Sequence, residues 1–128
     1  MLVEDLSNCA LFLDLDGTLI DIAPTPEVVS IPPELVPLLA RVSSGLQGAL
    51  AIISGRSISD INRFLAPLEL VAAGVHGAEL RTVPNGEVLH TVGPLEPWVL
   101  KVVSQLSRIA AGVVVESKLY SIAVHVRR

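Results

Sequence analysis

Two carboxylates stand two residues apart in the run Asp14-Leu15-Asp16-Gly17-Thr18-Leu19. They close an apolar stretch from Ala10 to Leu15 that reads as a short strand covered on both faces. A carboxylate at the end of a buried strand is costly unless it is paired or bound to a metal. Asp16 is near enough to Asp14 to share a cation with it, and Gly17 permits a turn that a side chain would hinder. Beside a hard cation and a phosphate, two such groups can divide the work of nucleophile and general acid/base. The plain alternative is a strand end with a solvated Asp-Gly turn. An EF-hand is excluded, because its twelve-residue ligand spacing is absent.

Further along, Ser54-Gly55-Arg56 follows a second apolar run and precedes a helical pattern. Backbone N–H groups at a helix N-terminus, joined by a hydroxyl, form a seat for phosphate. An ordinary capped turn explains the same residues, and Arg56 reads equally as a surface charge. In Gly74-Val75-His76-Gly77-Ala78-Glu79, His76 and Glu79 lie among glycines after a third run. A lone histidine is commonly structural or solvated, so His76 receives no catalytic role. Near the C-terminal end, Glu116 and Lys118 share a face if both belong to a strand. His125 and Arg127 lie close by, and exposed strand charge is the plain reading of this group.

These residues need elements to hold them. Strands are expected over residues 10–15, 49–53 and 70–75, with helices over about 34–44 and 57–65 between them. Pro33 suits the start of the first helix and Gly45 its C-terminal cap. Leu35, Leu38, Leu39 and Val42 form its inner face. Ser57 suits the N-cap of the second helix, with Asp60 in capping-box position, and Pro67 stops it. Ile58, Ile61, Phe64 and Leu65 should face inward. Residues 19–33 contain Pro24, Pro26, Pro32 and Pro33 and read as an irregular excursion. Strand-helix-strand-helix-strand is the pattern of a doubly wound parallel α/β sheet, which binds ligands beyond the carboxyl ends of its strands. All three polar loops sit at those ends. Residues 79–91 suggest a hairpin around Pro84-Asn85-Gly86. A helix from about Pro97 to Ala110 and strands near 113–115 and 119–127 follow. The expected organisation is therefore a core over residues 1–80 and an α+β module over 81–128.

The chain has 128 residues, 51% of them hydrophobic and 17% charged, with a net charge of −4. That composition suits one modest folded domain and excludes a disordered chain. No basic stripe for nucleic acid is present. No apolar run reaches the roughly 18 residues needed to span a bilayer, so a soluble cytoplasmic protein is expected. The single cysteine, Cys9, excludes an internal disulfide and reads as a small buried hydrophobe.

The Asp14–Leu19 run resembles the first motif of the haloacid-dehalogenase (HAD) superfamily of phosphohydrolases, and Ser54-Gly55-Arg56 resembles the second. The Gly74–Glu79 run, Glu116-x-Lys118 and His125-Val126-Arg127 are similar to the trehalose-6-phosphate phosphatase family within it. The resemblance covers nearly the whole chain. It implies a HAD-like core with a cap inserted after the third core strand, both incomplete here. It implies that Asp14 attacks phosphorus and that Asp16 protonates the leaving sugar oxygen, then activates water. Mg2+ would sit between the Asp14 carboxylate, the Asp16 carbonyl and the phosphate. Ser54, Gly55 and Thr18 would bind phosphate, and Glu116, Lys118 and Arg127 the sugar hydroxyls. The family's later lysine and acidic pair do not occur in these residues. The resemblance therefore implies a longer native protein, and weak metal binding and little turnover by this stretch alone. A phosphatase for another sugar phosphate, such as sucrose phosphate, phosphomannose or a phosphoglycerate, would share the same core. A non-catalytic regulatory domain is the alternative of a different class.

Overall fold

The computed structural model describes residues 8–21, 29–105, 108, 112–117 and 120–126. The chain forms two compact units, one reaching Thr91 and one starting at Val92. In the first, β1 (Leu11–Asp14), α1 (Leu35–Gly45), β2 (Leu50–Ile53), α2 (Ile58–Leu65) and β3 (Val71–Gly74) follow the expected alternation. β1 pairs parallel with β2, and β2 with β3. The hairpin around Pro84–Gly86 supplies β4 (Glu79–Arg81) and β5 (Leu89–His90). Both run antiparallel and extend the same sheet, in the order β1-β2-β3-β4-β5. The first unit thus passes the boundary expected after residue 80. Its cause is the short turn after β3, which folds the chain straight back so that Gly74 pairs with Glu79.

The core lies between this sheet and its helices. Leu15, Leu50, Ile52, Ile58, Ile61 and Leu65 are its most deeply buried aliphatic side chains. Each stabilises the fold by about 1.5–3 kcal/mol relative to exposure. On α1, Leu35 and Leu39 are buried, while Leu38 is half exposed. Gly45 ends the helix without acting as its left-handed cap; the chain reverses at Gln47 and Gly48, both at positive φ. On α2, Ser57 is the N-cap, and its Oγ accepts from the Asp60 N–H at 3.1 Å. The Asp60 carboxylate accepts from the Ser57 hydroxyl, rather than reaching back to the Ser57 N–H as a capping box would.

Two expectations of burial fail at β1. Leu11 and Phe12 are exposed, the latter at 67%, and Asp14 is exposed as well. β1 is an edge strand among the described residues, so its apolar side chains lack cover on one flank. The desolvation argument for a paired Asp14 therefore does not apply in this chain. Cys9, expected to be buried, is exposed just before the same strand.

The second unit contains α3 (Pro97–Ser104) and the antiparallel pair β6 (Val113–Ser117) and β7 (Ile122–Val126), with Glu116 opposite Ala123. Leu106, Ile109 and Ala110, expected on the helix face, lie outside the described residues. Pro24 and Pro26 of the irregular excursion do too. Among the described residues no helix is long and apolar enough to cross a membrane.

Candidate active site

The end of β1 is shaped by its own backbone. The Leu15 carbonyl accepts from the N–H groups of Thr18, Leu19 and Ile20, and Gly17 donates to the Ile20 carbonyl. Gly17 sits at φ 80, which glycine adopts without a Cβ penalty. Leu15 and Ile20 are buried and pin both ends of the loop. Asp14, Asp16 and Thr18 are left facing outward, and the Asp14 Oδ1 accepts from the Leu15 N–H at 2.8 Å.

Parallel pairing sets Asp14 level with Ile53. The residues beyond each strand are thereby neighbours. Arg56 reaches across to Asp16: Nε lies 3.0 Å from Oδ1 and 2.8 Å from Oδ2, and NH2 lies 2.7 Å from Oδ1. This forked, charge-assisted contact fixes the orientation of the Asp16 carboxylate. The hydrogen bond to Asp16 raises the guanidinium pKa, against a lowering by burial. The Arg56 guanidinium also packs 4.9 Å from the Phe64 ring centroid, as Arg63 does. Arg56 is thus no free surface charge, and the register that aligns the strand ends is the signal that could have revealed it.

Ser54 is buried at the end of β2. Its Oγ accepts from the Arg56 N–H at 3.1 Å, which leaves its own O–H for donation. The first turn of α2 is less open to an anion than the sequence suggests. The Ile58 N–H donates to Glu79 Oε2 at 2.7 Å, and the Asp60 N–H to Ser57. These two helix donors are therefore already paired within the protein.

The segment after β3 closes over that turn. Val75 N–H donates to the Arg56 carbonyl at 2.8 Å, and His76 N–H to the Ser54 carbonyl at 3.2 Å. Val75 and His76 both take left-handed backbone, at φ 50 and φ 55. For a β-branched residue this costs on the order of 1–3 kcal/mol. The His76 ring lies against Gly55, where an added Cβ would come within 2.7 Å of it. Gly74 is crowded by backbone rather than by a side chain, since a Cβ there would fall 2.8 Å from Ile58 N and 2.9 Å from the Arg56 carbonyl oxygen. Both neighbours are backbone and cannot step aside. Gly74→Ala is expected to destabilise the protein by about 1–3 kcal/mol. The check is a urea midpoint lower than wild type at an unchanged slope; an unaltered midpoint would refute the close packing.

Of the second-unit residues, Glu116 is described on β6, where its Oε2 lies 3.1 Å from His125 Nε2. Lys118 and Arg127 lie outside the described residues.

The model of the trehalose-phosphatase family matches residues 12–128. The chain belongs to the trehalose-phosphatase family. It is 40% identical over 127 residues to a probable trehalose-phosphate phosphatase of Sinorhizobium fredii, covering 98% of this chain and 48% of that protein. It is 37% identical over 122 residues to the trehalose-6-phosphate phosphatase of Escherichia coli, covering 93% of this chain and 45% of that protein. The chain thus spans about half the length of the curated relatives it matches. A crystal structure of a trehalose-6-phosphate phosphatase related protein superposes with a TM-score of 0.66 at 26% identity, over 91% of this chain and 51% of that one. A haloacid dehalogenase-like hydrolase of Bacillus subtilis shares the fold with a TM-score of 0.58 at 19% identity, over 78% of this chain and 33% of that one. The α/β architecture is accordingly part of the HAD fold.

Membership of this superfamily implies a divalent metal cofactor. Asp14 and Asp16 offer the hard oxygen donors that such a cation prefers. Among the described residues, no three His, Cys, Asp or Glu side chains come together as a metal cage. The donor chemistry of the trehalose-phosphatase loop fits the ion, and the number of donors is that of a partial shell.

Proposed function

We propose that the full-length protein is a magnesium-dependent phosphomonoesterase that hydrolyses trehalose 6-phosphate to trehalose and phosphate. The observation that carries this reading is the Asp14–Thr18 loop at the end of β1, with Asp16 gripped by Arg56, in a chain of the trehalose-phosphatase family. Asp14 has its carboxylate outward at the strand end and is the nucleophile: its oxygen bonds to phosphorus as the bond from phosphorus to the sugar oxygen breaks. Asp16 gives that oxygen the proton of its neutral carboxylic acid form and is left as the carboxylate that Arg56 pairs with. It then takes a proton from the water that hydrolyses the aspartyl-phosphate, which releases phosphate and restores Asp14.

Ser54, Gly55 and Thr18 bind the phosphate, and Glu116, Lys118 and Arg127 bind sugar hydroxyls. The Asp14 carboxylate and the Asp16 main-chain carbonyl would hold Mg2+, which when bound neutralises charge on the phosphoryl oxygens. The second unit acts as a cap that excludes water. The site of action is the cytoplasm. The test is phosphate release by the full-length protein with magnesium over a panel of sugar phosphates. Preference for trehalose 6-phosphate is expected. Preference for another phosphomonoester would replace the substrate, and no release from any would leave a non-catalytic domain.

A further inference from the structure

Glu79 is the carboxylate of the Gly74–Glu79 run, none of whose residues the proposed chemistry uses. It stands at the start of β4, opposite Gly74, with its side chain partly buried. Its Oε2 accepts from the N–H of Ile58, the first residue of α2, at 2.7 Å and across 21 positions of sequence. The first N–H groups of a helix have no partner within it, and a carboxylate there is favoured by hydrogen bonding and by the helix dipole. Ser57 already satisfies Asp60 from within the helix. Glu79 supplies a second cap from a different strand. Two further contacts close the same junction, from Val75 N–H to the Arg56 carbonyl and from His76 N–H to the Ser54 carbonyl. The two left-handed residues, Val75 and His76, persist only where the surroundings over-determine them.

We propose that Glu79 is a positioning residue for phosphoryl transfer. It ties α2 to β4 and so holds the preceding turn, in which Ser54 faces the phosphate and Arg56 grips Asp16. The proposal rests on the function given above. Its reach is short: one residue separates Ile58 from Arg56, and a shift of the first turn moves the guanidinium directly. Misplacement by about 1 Å can cost on the order of a hundredfold in rate.

The experiment compares wild type, Glu79→Ala and Glu79→Gln in the full-length protein. It reads the amide exchange of Ile58 by NMR, kcat at saturating trehalose 6-phosphate, and melting by circular dichroism. Glu79→Ala is expected to speed Ile58 exchange and to lower kcat by roughly tenfold to a hundredfold at temperatures where the protein is folded. Glu79→Gln keeps an accepting oxygen and should stay within about threefold of wild type. A kcat loss that merely tracks the unfolded fraction would overturn the proposal, since a purely structural role predicts that pattern. Unchanged Ile58 exchange in Glu79→Ala would overturn it too. Glu79→Asp, one methylene too short for the contact, serves where Glu79→Ala does not fold; wild-type exchange and kcat in that variant would equally count against Glu79. If wild type releases no phosphate, the functional reading falls by itself. Ile58 exchange then still decides whether Glu79 holds the turn.

Discussion

Asp14→Asn in the full-length protein is expected to lower phosphate release by on the order of 10⁴-fold or more, with no matching fall in melting temperature. The two halves of this expectation have separate causes. An amide oxygen can still accept from the Leu15 N–H, the local bond that the Asp14 Oδ1 makes at 2.8 Å. Asn has the same size and shape as Asp and stays polar, so the exchange at Asp14, exposed among the described residues, adds no steric load. The fold has little reason to notice. The proposed reaction does, because a neutral amide lacks the nucleophilic carboxylate it assigns to Asp14. Phosphate release under saturating substrate, beside a thermal melt, measures both. Retained turnover would remove Asp14 as nucleophile. A large drop in melting temperature would show instead that the loop depends on its charge.

The second large effect concerns stability. Arg81, on β4, is 1% exposed, and its guanidinium is held by three acceptors. Nε donates to the Leu70 carbonyl at 2.7 Å, NH2 to Asn62 Oδ1 at 2.9 Å and NH1 to Glu69 Oε2 at 3.2 Å. Burial lowers its pKa, and the charge of Glu69 opposes that shift. Glu69 is 43% exposed, so this pair contributes little against water. The weight lies on the Leu70 carbonyl and on Asn62, which join β4 to the entry of β3 and to α2. Arg81→Ala would remove the donor from both and leave a void. A loss of about 2–5 kcal/mol is expected from the unsatisfied acceptors and the cavity, enough to threaten the fold of a domain of this size. Urea denaturation of the full-length protein measures it. A midpoint like that of wild type would mean that water replaces the guanidinium without cost.

Local chemistry made much of this protein legible in its sequence. The Asp14–Leu19 turn, the Ser57 cap of α2 and the order of β1, α1, β2, α2 and β3 are set by contacts among residues a few positions apart. Apolar periodicity, glycine and capping groups report such contacts directly. The phosphatase motifs are of the same kind, since a loop at the end of a parallel strand needs only its own turn and the strand before it.

What the sequence left open depends on register and cover, which no local pattern carries. Asp16 and Arg56 stand 40 positions apart and meet only because parallel pairing sets Asp14 level with Ile53. Glu79 caps α2 only because β4 turns back against β3. The hairpin around Pro84–Gly86 was readable as a hairpin. That it extends the sheet of the first unit follows from the short turn before it. Burial at β1 misled for the reverse reason. The apolar run of Leu11 to Leu13 describes a strand made to be covered, and cover is a property of its neighbours: among the described residues β1 pairs only with β2, so Phe12 and Asp14 are exposed in this stretch.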